Sequence, residues 1–272
     1  MKFAYHTNTW GGVVGNPGGV TSVKDAYFLA NGNTEDALID LNVIDYNGFE
    51  LFDGNLMALQ EHELKQLLEK YLLEFVGVYT GANFIYQDIK NDELLKIENV
   101  IKKASYFGCK NIVIGGGALR NEGVKEDDYK RLGDSLNELK YLSESHGLVP
   151  HYHPHLGSMV ETPAQIEQLY EHTDIYFCPD TAHLELGGGD PLQLIQKYSH
   201  LISYVHLKDQ KNGEFLPLGE GEQNMIRMLN VISSMKDIEW IAVELDSYYD
   251  PKKGAQISKQ FLEKHLGDQE LG

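Results

Sequence analysis

The 272-residue chain is predicted to fold as one α/β domain, a (β/α)8 TIM barrel spanning residues 1–272. Two observations predict it: short apolar, β-branched runs recur eight times, and longer amphipathic stretches separate them. A third is negative. No Gly-rich dinucleotide fingerprint follows the first run, which disfavours a doubly wound open sheet. No proline-rich linker, low-complexity stretch or long single-sign charge block divides the chain.

In order, the runs are Phe3–His6, Gly48–Phe52, Phe75–Tyr79, Asn111–Gly115, Leu148–His153, Ile175–Asp180, Ile202–Leu207 and Trp240–Leu245. Several are too uniformly apolar for half-exposed antiparallel strands and read as buried parallel ones. Between them, Asn91–Phe107 spaces Leu94, Leu95, Ile97, Ile101 and Ala104 as one helical stripe. Glu126–His146 repeats the pattern with Tyr129, Leu132, Leu136, Leu139 and Leu142. Thr162-Pro163 and Asp190-Pro191 each place a capping residue before a proline at the first helical position. Two segments read as loops, Gly11–Asn33 with its six glycines and Leu207–Glu222. Both follow strand C-termini, where barrel enzymes place their chemistry, and both can order over a substrate.

The formal net charge of −18 excludes partners bound through Lys and Arg, namely nucleic acid and anionic membrane surfaces, and favours a small neutral substrate. The two cysteines, Cys109 and Cys178, read as core residues of a reducing compartment. Met1–His6 runs into a strand with no apolar leader, and no stretch approaches the roughly 18 apolar residues of a membrane span, so a cytoplasmic location is expected.

The chemistry is expected where the last four runs end. Alternation puts His151 with His153, Cys178 with Asp180, Tyr204 with His206 and Ala242 with Glu244 on the inner face of a barrel. The last member of each pair then points into the mouth, so His153, Asp180, His206 and Glu244 converge. Two carboxylates buried there unpaired carry a severe desolvation penalty. A divalent cation removes it and suits a mixed imidazole and carboxylate set. Manganese, cobalt, iron(II) and zinc suit it equally.

At these strand ends the sequence resembles the xylose-isomerase-like barrels, a group with sugar epimerases, inosose dehydratases, hydroxypyruvate isomerases and endonuclease IV-type enzymes. Asp180-Thr181-Ala182-His183 resembles the group's D-x-x-H signature, and His206-Leu207-Lys208-Asp209 its H-x-K-D motif. Glu244 is similar to its last ligand, and Gly219-Glu220-Gly221 resembles its G-x-G turn. The opening strand and its loop match poorly. Most members carry glutamate at the end of the fifth strand, where this chain has His153 in His151-Tyr152-His153-Pro154-His155. That stretch is most similar to the inosose dehydratase branch. The resemblance implies a lyase that dehydrates a keto-inositol or similar polyhydroxy ketone through an enolate. The missing glutamate counts against a two-glutamate epimerase.

For that reaction Glu244 and Lys208 are both candidate bases, Lys208 alternatively an electrostatic clamp. His155 is a candidate proton donor to the leaving hydroxyl, or a partner that orients His153. His183, Glu50, Asn8 and Trp10 are expected to touch substrate, Glu50 alternatively to hold Lys208. Asp209 and Asp246 are expected to brace ligands or loops. The rival readings are a ketose isomerase or epimerase, a phosphodiesterase (disfavoured by the acidic composition) and a non-catalytic sugar- or metal-binding barrel. The sequence leaves self-association open, although barrels of this kind often form homo-oligomers through outer helices.

Overall fold

The computed structural model describes residues 1–10, 23–24, 27–117 and 119–266. The glycine-rich part of the first expected loop, residues 11–22, lies outside them. Eight strands form the barrel: β1 (Lys2–His6), β2 (Gly48–Phe52), β3 (Glu74–Gly81), β4 (Asn111–Gly115), β5 (Val149–His153), β6 (Tyr176–Phe177), β7 (Tyr204–Leu207) and β8 (Trp240–Val243). They pair in parallel in the order β6-β5-β4-β3-β2-β1-β8-β7. A single parallel bridge, Asp180 to His206, closes β6 onto β7. Each expected run coincides with one strand, the first and third strands extending beyond it. The sixth is shorter than expected because Pro179 has no N–H to give the ladder.

Strand alternation sorts the core into two parts. Ala4, Val76, Val113, Cys178, Tyr204, Trp240 and Ala242 fill the barrel, while Tyr5, Phe49, Ile112, Tyr152, Phe177, Val205 and Ile241 face the helices. β3 carries one irregularity. Phe49 pairs with Phe75 but Glu50 pairs with Gly77, so Val76 is an extra residue in β3. Cys109 and Cys178 are free and buried, as the composition implied.

The helices follow their apolar stripes. α1 (Thr34–Ile44), α2 (Asp53–Ala58) and α3 (Glu61–Tyr71) precede α4 (Lys90–Tyr106), which buries Ile97, Val100, Ile101 and Ala104. Leu95, expected in that stripe, is exposed because it stands two residues, about 200°, round the helix from Ile97. α5 (Asp128–Ser145) buries Tyr129, Leu132, Leu136 and Leu139. Thr162 caps α6 (Pro163–Tyr170) in a reciprocal pair with Gln165, and Asp190 caps α8 (Pro191–Lys197) through the Gln193 N–H. Between them lies α7 (Thr181–Leu186); α9 (Met225–Ser233) and α10 (Pro251–Leu266) complete the ring. The second expected loop, Leu207–Glu222, is not irregular: Asp209–Lys211 and Glu214–Leu216 form an antiparallel hairpin. Among the described residues no helix is long and apolar enough to cross a membrane.

At the floor of the barrel, Gly48 is fixed by space. A Cβ there would lie 2.6 Å from Val76 Cγ1 and 2.7 Å from the Glu74 carbonyl oxygen, which is backbone and cannot give way. Gly48→Ala is therefore expected to cost about 1–3 kcal/mol, the range for overpacking. Urea denaturation reads this, and an unchanged midpoint would contradict so close a β2–β3 contact.

Candidate metal centre and active site

The four residues expected to converge do so. One ligand atom from each of His153, Asp180, His206 and Glu244 lies within 4.8 Å of the others, and all four residues are buried. His153 ends β5 and His206 sits in β7. Glu244 directly follows β8, where its N–H still donates to the Leu207 carbonyl at 2.9 Å. Asp180, which bridges to His206, also caps α7, its Oδ1 accepting from the His183 N–H at 2.9 Å.

Each residue keeps an unsatisfied atom. Among buried side-chain atoms with no hydrogen-bond partner are both ring nitrogens of His153, Asp180 Oδ2, His206 Nδ1 and Glu244 Oε2. Glu244 Oε2 comes within 2.6 Å of His206 Nδ1 without hydrogen-bond geometry. Buried polar atoms are nearly always paired, and here all four converging residues are among the exceptions. Two carboxylate oxygens and two imidazole nitrogens facing one point fit a single divalent ion. Each carboxylate uses its other oxygen structurally, Asp180 for the helix cap and Glu244 for Lys208.

Lys208 is the cation of the site. Its fully buried Nζ lies 2.8 Å from Asp246 Oδ1, 3.0 Å from Glu244 Oε1 and 3.4 Å from Asp180 Oδ2. It also meets His183 Nε2 at 3.1 Å and stands 4.6 Å over the Phe215 ring. Burial pushes its pKa down, but Asp180, Asp246 and Glu244 outweigh that and hold it well above the ordinary lysine value. Lys208 thus stands as an ammonium, the clamp of its two expected roles. Burial raises Asp180 to about 6 and Asp246 to about 7 against the pull of Lys208. Glu244 is held well below the usual carboxylate range: burial opposes this, and Lys208 and His206 overcome it. Burial, reinforced by neighbouring His206, Lys208 and other imidazoles, keeps His153 and His183 well below the ordinary histidine value. His155 is lowered mainly by burial.

The other expected residues are placed unevenly. His155 Nδ1 donates to the Leu156 carbonyl at 2.8 Å, leaving Nε2 as its acceptor nitrogen, and its ring lies 4.0 Å from that of His183. It makes no hydrogen bond to His153, so the alternative orienting role is not formed. Asn8 is fully buried with both side-chain amide atoms unpartnered. Trp10 does not line the mouth. Its indole donates to Asp40 on α1 at 3.1 Å and packs edge-on against outward-facing Tyr5, because the chain turns out of the barrel after a 3-10 turn at Thr7–Thr9. Glu50 does not hold Lys208, whose carboxylate partners, Asp180, Glu244 and Asp246, lie in the segments that follow β6 and β8. Glu50 turns inward to Tyr204, His206 and His6 instead. Asp209 braces the segment after β7, accepting from the N–H groups of Gln210, Gly219 and Gly221 at 2.9, 2.9 and 3.1 Å. Gly221 is required there, since a Cβ would fall 2.1 Å from Asp209 Oδ1.

Two participants were missed. His6 shares its face of β1 with Ala4, so period-two counting of Phe3–His6 would have found it. Phe215 carried no signal, since only the unexpected hairpin folds it over Lys208 and His183.

Residues 40–265 match the family described as Xylose isomerase-like TIM barrel. The chain belongs to that family. Within reach of this xylose isomerase-like barrel is the inosose dehydratase of Bacillus cereus (strain AH820), 25% identical over 278 residues, which span 88% of this chain and 91% of that protein. Among solved structures, apo 3-keto-D-glucoside 4-epimerase YcjR from E. coli superposes with a TM-score of 0.74 at 17% identity, covering 97% of this chain and 99% of that one. The IOLI protein with a binding zinc atom gives 0.72 at 16%, covering 98% and 99%. At such identities these two structures bear on the fold alone.

Lys208→Met removes the one positive partner shared by Asp180, Glu244 and Asp246. The metal-free protein is expected to lose about 3–5 kcal/mol in denaturant unfolding. Lys2→Met, whose 2.7 Å contact with Glu74 is exposed and screened by solvent, should leave the unfolding midpoint nearly unchanged. Equal losses would mean the buried cluster is not held by its lysine.

Proposed function

We infer that this protein is a divalent-metal-dependent hydro-lyase that removes water from a keto-inositol or a similar polyhydroxylated ketone. The coincidence of orphaned atoms with the four converging residues carries the metal reading: His153, Asp180, His206 and Glu244 each offer an atom that no protein group satisfies. When bound, the ion supplies Lewis acidity, stabilising negative charge that develops on a carbonyl oxygen. The mixed imidazole and carboxylate set suits manganese, cobalt, iron(II) and zinc alike. The name of the Bacillus relative and the histidine in place of a second glutamate support dehydration over epimerisation.

The chain's own groups suit an elimination with one proton carrier. His155 is a neutral imidazole with Nε2 free, able to take the proton beside the carbonyl and return it to the departing hydroxyl. Lys208 keeps Glu244 ionised and adds positive charge beside the reacting group, which leaves Glu244 as the second candidate base. Asn8 and the unpartnered Nδ1 of His183 are the groups able to bind substrate hydroxyls. A neutral polyol suits this mouth better than an anion, because Lys208, the charged lysine touching the ligand set, is already matched by carboxylates. Nucleic acid and anionic membranes are disfavoured as partners by the net charge of −18.

Elemental analysis of the purified protein, beside a His206→Ala, Glu244→Ala double variant, is the first test. One divalent ion per chain in the parent, absent from the variant, is the expected result. The metal-loaded protein should then convert a keto-inositol to a product lighter by one water, and lose that activity to a chelator. A product of unchanged mass would instead identify an isomerase or epimerase. Metal binding without turnover of any ketose or inosose would leave a non-catalytic binding barrel.

A further inference from the structure

Glu50 is a fully buried carboxylate that the proposed reaction does not use. It lies on β2, beneath the ligand cluster, and all its neighbours are donors. Tyr204 Oη donates to Oε2 at 2.7 Å, and His206 Nε2 lies 3.2 Å from the same oxygen. His6 Nε2 stands 3.4 Å from Oε1. His6 has its tautomer set locally, because its Nδ1 accepts the Asn8 N–H at 3.1 Å and leaves Nε2 to carry the proton.

The space for this carboxylate is built into the neighbouring strand. The extra residue Val76 brings Gly77 opposite Glu50. A Cβ on Gly77 would lie 2.7 Å from Glu50 Oε2 and 2.9 Å from Tyr204 Oη. Any other residue there would push the carboxylate aside.

His206 meets two carboxylates through two nitrogens. Nε2 faces Glu50, and Nδ1 faces Glu244 and the unsatisfied atoms of His153 and Asp180. An imidazole that binds a cation through one nitrogen must hold its proton on the other, and an acceptor at that nitrogen fixes the ring and strengthens the donor. We propose that Glu50, held by Tyr204 in the space left by Gly77, is a positioning residue that keeps the His206 proton on Nε2 and turns the Nδ1 lone pair toward the metal. This rests on the metal reading of the four-residue cluster. It gives Glu50 a role separate from contact with substrate.

The test is the affinity of the metal-free protein for zinc, measured by competition with a chromophoric chelator, in the parent, Glu50→Gln and Gly77→Ala. Glu50→Gln keeps the shape but replaces the charged acceptor that Tyr204 and His206 share. Gly77→Ala keeps the carboxylate but displaces it. Both are expected to bind zinc about 10–100-fold more weakly, the usual effect of removing an outer partner of a metal-bound histidine. Unfolding of the metal-free Glu50→Gln protein, measured alongside, shows that it is folded when its zinc affinity is read. Visible absorption of the cobalt(II) forms should shift in both variants, a change that a merely structural residue would not produce. Parent-like zinc affinity and cobalt spectrum in Glu50→Gln would overturn the proposal while leaving the metal site intact. A parent that binds neither zinc nor cobalt would overturn the site itself, and this role with it.

Discussion

Buried negative charge is the constraint around which the mouth of this barrel is arranged. Asp180, Glu244, Asp246 and Glu50 are all nearly or wholly out of water. An ionised carboxylate moved from water into a protein interior costs several kcal/mol unless it is paired. Each therefore has assigned partners: a helix N-terminus for one oxygen of Asp180, Lys208 for Asp246 and one oxygen of Glu244, and a tyrosine with two histidines for Glu50. One oxygen on Asp180 and one on Glu244 remain without a hydrogen bond, in one cluster with His153 and His206. The geometry of the whole mouth, from the cap of α7 to the tilt of His206, follows from how that remainder is met.

The histidine that stands in place of a glutamate changes this balance. Two carboxylates and two neutral imidazoles around a dication sum to zero, whereas a third carboxylate would leave the set negative. Lys208 is then free to serve Asp246 and to bridge the two ligand carboxylates, without having to neutralise a surplus. His153 has no outer partner on either nitrogen, unlike His206. The two imidazoles of one cluster are thus held in different ways, one by a strand partner across the barrel and the other only by the rings packed around it.

Much of this was legible in the sequence because period-two alternation and strand-end position are local properties. They put His153, Asp180, His206 and Glu244 on one surface, and the structure brings them together. The surroundings of Glu50 and Trp10 were hidden for a non-local reason. Whether a residue after a strand turns into the mouth or back under the helices depends on the next turn of chain, and the 3-10 turn at Thr7–Thr9 has no strong sequence signature. Glu50 was read as facing substrate because nothing in its own run reports Tyr204, a residue more than 150 positions away. The hairpin at Asp209–Leu216 was hidden by its short strands and by glycines that read as loop.

The barrel is least continuous where its chemistry lies. β6 has only two residues, and it is joined to β7 by the Asp180–His206 bridge and the His206 N–H to the Pro179 carbonyl. Two members of the ligand set stand on either side of that thin seam, with His153 on the adjoining strand. An ion held by all of them would act as a rivet, doing with side chains what the backbone ladder does around the rest of the circumference. Loss of the ion would be felt first as slow breathing of one edge, and only afterwards as a change in the fold.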